Sequence, residues 1–130
     1  MKINSAAVIG TGFIGTVHVE SIRRTGVKVK GVLSGSAESS KRGAENLKVE
    51  LAYSSLSDIC NDADVTVVHV TSPNSLHYPQ VKELMAAGKH VVCEKPLALS
   101  AKEGSELVAL AEKTGLVNAT CFNTRFYPMV

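Results

Sequence analysis

Three glycines in "VIGTGFIG" (residues 8–15) are spaced for holding a phosphate. Gly10, Gly12 and Gly15 form G-x-G-x-x-G, directly after an apolar run and at the start of a helical pattern. In that context the first glycine allows a tight turn, the second lets backbone approach a pyrophosphate, and the third lets the helix press on the strand. Thr11, Phe13 and Ile14 complete the turn, and the helix start adds free N–H groups and the positive end of a dipole. A glycine-rich turn without a ligand is the plain alternative. No G-x-x-x-x-G-K-[ST] loop is present, which argues against ATP or GTP hydrolysis.

A dinucleotide turn often has an acid about 20 residues later to hold the adenosine ribose. Here "VLSGSAESSKR" (residues 32–42) offers Ser34, Gly35 and Ser36, followed by Ser39, Lys41 and Arg42. Hydroxyls, a helix start and basic residues suit a 2′-phosphate, so the expected cofactor is NADP, with NAD as the alternative. A serine helix cap followed by solvated bases is the competing reading.

Three further segments bring polar groups to loops after strands. "VTSPNSLHYP" (residues 70–79) carries Thr71, Ser72, Pro73, Asn74 and His77. "VVCEKP" (residues 91–96) carries Glu94 and Lys95, and "CFNTRFYP" (residues 121–128) carries Asn123 and Arg125. Each has a bland reading: Glu94 and Lys95 as a solvated pair, His77 as a packed helix-start residue beside Val81 and Leu84, Arg125 as an anchor of the chain end. His69, inside an apolar strand, reads as a core residue.

The elements that must position these groups alternate. Apolar, β-branched runs near 6–9, 27–33, 65–70, 90–93 and 117–122, with a weaker one at 51–53, read as strands buried on both faces. Helical periodicity lies between them: Val81, Leu84, Met85 and Gly88 share one face, and Gly104, Leu107, Val108 and Ala111 another. Gly26, Gly88 and Gly115 stop helices, and "SAKE" (100–103) reads as a capping box. Alternation implies parallel pairing through right-handed crossovers, hence an α/β, doubly wound parallel sheet with helices on both faces, in a single domain. Ligands of such sheets bind at the strands' carboxyl ends.

Composition is consistent with this. In 130 residues, 45% hydrophobic and 20% charged, a net charge of +2 argues against nucleic-acid or membrane partners, and 5% aromatics leave little for base stacking. Cys60, Cys93 and Cys121 form no CxxC pair, and His18, His69, His77 and His90 show no ligand spacing, so no metal site is expected. A reducing cytoplasm is the expected location.

The ordered set of G-x-G-x-x-G, T-x-P-N-x-x-H (Thr71, Pro73, Asn74, His77), E-K-P (Glu94, Lys95, Pro96) and R-F-x-P (Arg125, Phe126, Pro128) resembles the amino-terminal half of the Gfo/Idh/MocA family. The resemblance implies a Rossmann domain and a nicotinamide cofactor. It also implies hydride transfer at a hydroxyl or carbonyl carbon of a sugar, cyclitol or related small molecule. Lys95 would be the catalytic group and Glu94 would position the nicotinamide end. Family members are more than twice this length, so residues 1–122 are expected to be the dinucleotide-binding domain and 123–130 the start of a connection to a substrate domain. A covering domain or a second copy of the chain would complete the site, and this half alone would bind cofactor without turnover. A non-catalytic dinucleotide-sensing module acting with a partner is the alternative.

Overall fold

The computed structural model describes residues 4–129. In chain order the elements are β1 (Ser5–Ile9), α1 (Phe13–Arg24), β2 (Lys28–Leu33), α2 (Ala37–Leu47), β3 (Leu51–Ala52), α3 (Leu56–Asn61), β4 (Val65–Val70), α4 (His77–Ala86), β5 (His90–Glu94), α5 (Ala101–Thr114) and β6 (Asn118–Cys121). Short 3₁₀ turns at Asn74–Leu76 and Asn123–Phe126 follow β4 and β6. The strands pair in parallel in the order β3-β2-β1-β4-β5-β6. Chain order reverses direction between β1 and β4. The loops leaving these two strands therefore diverge and open a crevice at the carboxyl edge.

Two apolar layers hold the sheet. Ala7, Ile9, Val68 and Val70 face Ile59, Val81, Leu84, Met85 and Leu107 from α3, α4 and α5. Ala6, Val8 and Val32 face Val19, Ile22 and Ala44 from α1 and α2. Each fully buried Val or Leu stabilises the fold by roughly 1.5 to 3 kcal/mol. β1 is buried along its whole length because it sits centrally with helices on both sides.

The expectation of strands buried on both faces fails at the β6 edge. Asn118 and Ala119 are exposed, and β5 alternates half-buried with buried positions. On the α1 side, Ile22, Val67, His69, Val92, Val117 and Ala119 line an open apolar trough of about 310 Å³. Val108 is likewise exposed, although its helical spacing placed it with Leu107.

The helix ends follow local chemistry. Gly26, Gly88 and Gly115 take positive φ after α1, α4 and α5, as expected of left-handed stops. Ser100 caps α5 by accepting from Glu103 N–H. The expected reciprocal bond is displaced by one residue, since the Glu103 carboxylate accepts from Leu99 N–H rather than from Ser100.

Candidate functional site

The glycine turn is shaped by contacts that fall differently on its three glycines. Gly10 has φ +96°, and a Cβ there would lie 2.6 Å from Thr71 O. A Cβ on Gly15 would lie 2.0 Å from Gly10 O, so these two glycines are demanded by the fold itself. Gly12 is different. Its φ is −76°, and a Cβ there would meet nothing within 4 Å. Space above Gly12 is thus open, as an approaching phosphate requires. Gly12 caps α1 without a side-chain bond, and the first turn of α1 carries no acid, leaving its early N–H groups for an anion.

Neighbouring strands brace this turn. Thr71 donates its N–H to Ile9 O and its hydroxyl to Ile9 O and Gly10 O, at 2.8, 2.8 and 3.1 Å. Thr11 Oγ1 donates to Ser34 Oγ at 3.2 Å. A Cβ on Gly43 would lie 2.5 Å from Thr11 Cγ2, so Gly43 lets α2 close onto the turn. Sequence reading gave Gly43 no role because it lies in mid-helix, without a turn signal.

Two adjoining clefts follow. The larger, about 560 Å³, is lined by Gly10, Thr11, Gly12, Phe13, Ile14, Ser34, Gly35, Thr71, Ser72 and Pro73, all read from the sequence. Ile9, Leu33, Leu76 and Gln80 also line it, adding apolar walls and an amide that periodicity alone did not mark. The smaller, about 150 Å³, is lined by Ile14, Thr71, Ser72, Asn74, His77, Glu94 and Lys95. Ile14, Thr71 and Ser72 border both, so the clefts form one trough running from the end of β2 to the E-K-P loop.

Other expected residues lie elsewhere. The Ser36 and Ser39 hydroxyls are engaged in the capping box that opens α2. Arg42 is paired with Glu38 on the exposed face of α2, and Lys41 is exposed. None of these four lines either cleft, nor do Asn123 and Arg125, which occupy the exposed turn after β6. His77 is 1% exposed. Its Nδ1 lies 2.7 Å from Pro96 O and its Nε2 2.8 Å from Ser72 O, so the ring clasps the two rim loops from beneath.

At the far end, the Glu94 carboxylate is not a solvated partner of the Lys95 ammonium. Its Oε1 lies 3.1 Å from His18 Nε2, and its Oε2 accepts from Lys95 N–H at 3.2 Å. The Lys95 side chain is left exposed at the cleft. His18 Nδ1 in turn lies 2.8 Å from His69 Nδ1. Burial, then the neighbouring His18, hold His69 down at about 4, so it is neutral near pH 7. His69 is therefore more than the core residue its apolar strand suggested.

His18, Glu94 and Cys121 place one ligand-type atom each within 4.8 Å of one another, although no local spacing announced such a set. Burial raises the Cys121 thiol, helped by Glu94, and pushes Cys93 up to about 12. Neither is a thiolate nucleophile at neutral pH.

Over residues 5–121 the sequence matches the family described as "Oxidoreductase family, NAD-binding Rossmann fold" (GFO_IDH_MocA). The chain belongs to the Gfo/Idh/MocA family. Within that family it is 35% identical over 124 residues to 1,5-anhydro-D-fructose reductase of Ensifer adhaerens, covering 95% of this chain and 37% of the relative. It is 34% identical over 123 residues to scyllo-inositol 2-dehydrogenase (NADP(+)) IolU of Bacillus subtilis, covering 94% and 38%. Among solved structures, GenD2 from gentamicin A biosynthesis in complex with NAD aligns with TM-score 0.90 and 29% identity, over 98% of this chain and 37% of that one. The chain thus spans little more than a third of these Gfo/Idh/MocA proteins. No helix among the described residues is long and apolar enough to cross a membrane.

Proposed function

We propose that this chain is the dinucleotide-holding part of an oxidoreductase that moves hydride between a nicotinamide cofactor and a hydroxyl or carbonyl carbon of a sugar, cyclitol or similar small molecule. The observation that carries this is the continuous trough from Ser34 and Gly35, over the open Gly12, to Glu94 and Lys95. Read along this trough, an adenosine would lie on the Ser34 side, a pyrophosphate over the open Gly12 and a nicotinamide on the Glu94 side.

The residues present fit such a cofactor. Gly12 and the first turn of α1 would hold the pyrophosphate; Leu33, Pro73 and Leu76 would wall the adenine side. When bound, the nicotinamide supplies or accepts the hydride. Lys95, exposed at the nicotinamide end, is placed to put an ammonium beside the substrate oxygen, where it stabilises negative charge that develops mainly in the transition state. Glu94, fixed by His18, borders the same cleft and would orient the carboxamide end.

NADP is the favoured cofactor. The end of β2 presents Ser34 and Gly35 to the trough rather than a carboxylate that would repel a 2′-phosphate. Because the Ser36 and Ser39 hydroxyls serve the α2 cap, the preference rests chiefly on Ser34, backbone N–H groups and the absence of an acid.

The apolar trough on the α1 side of β4 to β6 supports the further reading that another part of the protein covers this domain. On that reading the 130-residue chain binds dinucleotide and turns over sugars or cyclitols negligibly. Single-turnover hydride transfer in a protein that joins this domain to a substrate domain tests the proposal. Lys95→Ala should lower that rate by about 10²- to 10³-fold, the range for loss of a group stabilising a developing oxyanion, with little change in cofactor affinity. An unchanged rate removes Lys95 from the mechanism, and robust turnover by the chain alone refutes the half-enzyme reading.

A further inference from the structure

His69, His18 and Glu94 form a continuous hydrogen-bonded line from the carboxyl end of β4, through α1, to the proposed nicotinamide end of the trough. His69 Nδ1 to His18 Nδ1 is 2.8 Å, His18 Nε2 to Glu94 Oε1 is 3.1 Å, and Lys95 N to Glu94 Oε2 is 3.2 Å. The two imidazoles meet edge to face, with ring centroids 5.1 Å apart and planes at 81°. His18, at the centre of the line, is 8% exposed, while His69 and Glu94 on either side of it are half-buried.

Donor and acceptor counting limits the protons to two arrangements. A carboxylate only accepts, so His18 Nε2 carries a hydrogen. One proton lies between the two Nδ1 atoms, since two would repel and none would leave two lone pairs in contact. With His18 neutral, His69 donates through Nδ1–H. With His18 protonated, His18 donates and His69 presents its Nδ1 lone pair as the other tautomer. Every hydrogen bond of the line survives in both states. Burial keeps His69 neutral near pH 7, which either arrangement requires.

We propose that His69 is a positioning residue: by its hydrogen bond to His18 Nδ1 it fixes the His18 ring, and through that ring holds Glu94 in place to receive the nicotinamide end of the dinucleotide. This rests on the reading of the trough as a dinucleotide site. It explains why two imidazoles stand behind a carboxylate at the rim. It also means that α1, which carries the phosphate turn at its start, braces the nicotinamide end through His18.

The test compares NADPH with 2′-phospho-ADP-ribose, which keeps the adenosine, the 2′-phosphate and the pyrophosphate but lacks nicotinamide. Dissociation constants are measured by calorimetry on the 130-residue chain for the wild type, His69→Leu and His69→Asn. An Asn amide can present a donor near the original Nδ1 position. His69→Leu should weaken NADPH by about 2- to 10-fold, the value of one neutral hydrogen bond, while 2′-phospho-ADP-ribose stays within about 2-fold. His69→Asn should restore most of the NADPH affinity. Equal weakening of both ligands by His69→Leu, no weakening of NADPH, or no recovery in His69→Asn overturns the positioning role. A wild-type chain that binds neither of these ligands nor NADH overturns the dinucleotide reading and this inference with it. Independently of any ligand, ¹⁵N NMR should show a scalar coupling between the two Nδ1 atoms across a shared proton, and its absence in a folded wild-type chain overturns the proton arrangement.

Discussion

Gly12→Val separates what the fold needs from what the ligand needs. The backbone at Gly12 has φ −76° and ψ −167°, an extended conformation open to a β-branched residue. A Cβ there meets nothing within 4 Å, so the folded-state cost is chiefly that of a poorer helix cap, about 1 kcal/mol, or about 4 °C in Tm for a domain of this size. The same space is where a pyrophosphate would rest on the α1 N-terminus. Losing two charge-assisted hydrogen bonds there, at about 1.5 to 3 kcal/mol each, weakens binding by about 10² to 10⁴. Gly15→Ala is the contrasting change: its Cβ would sit 2.0 Å from Gly10 O, and the backbone displacement needed should cost several kcal/mol of the roughly 5 to 15 available. Thermal denaturation paired with calorimetric titration of NADPH reads both effects. A Gly12→Val protein that melts within a few degrees of wild type and still binds at wild-type affinity would refute the placement of the pyrophosphate.

Further outcomes follow from individual contacts. Calorimetry should show NADPH binding about 10- to 100-fold more tightly than NADH, the value of one charge-assisted contact, and Ser34→Asp should shift preference toward NADH; equal affinities in the wild type would refute the 2′-phosphate reading. His69 sits at about 4 in the folded chain against about 6.5 unfolded, so between these pH values the unfolded chain binds the extra proton and stability falls as the pH drops. At about 1.4 kcal/mol per pH unit, His69→Asn should gain about 2 to 3 kcal/mol relative to wild type between pH 7 and 4.5 in urea denaturation, and a constant difference would contradict it. Lys89 is 7% exposed and donates to Asp62 O and Val65 O at 2.6 and 2.8 Å; Lys89→Met leaves both carbonyls without that donor and should cost about 2 to 4 kcal/mol, whereas a loss below about 0.5 kcal/mol would show that water replaces the ammonium.

The sheet was readable because β2, β4 and β5 are compact β-branched runs and α1, α4 and α5 are each punctuated by a glycine in the left-handed region. The glycine turn, the T-S-P-N loop and Glu94 with Lys95 were readable because local spacing and position after a strand suffice to place them. What escaped depends on partners far apart in sequence. His18 and Glu94 are 76 residues apart, and His18 and His69 are 51 apart, so no local pattern reveals that they touch. Gly43 matters only because α2 lies against Thr11. Ser36 and Ser39 were ambiguous for a physical reason: a hydroxyl near a helix start can serve the cap or a phosphate, and the structure shows the cap bonds made. The exposed β6 edge escaped because apolarity does not say which face a neighbouring element covers.

The most direct measurement is an amide NMR titration of the ¹⁵N-labelled chain with NADPH, read residue by residue. Binding at one site should shift Gly10 to Gly15, Ser34, Gly35, Thr71 and Ser72 together with Glu94 and Lys95, while Lys28 and Glu50, paired on the exposed surface away from both clefts, stay still. Shifts confined to the apolar trough around Val67, Val92 and Ala119, or no saturable shifts with either NADPH or NADH at millimolar concentration, would contradict the assignment of this domain as a dinucleotide holder.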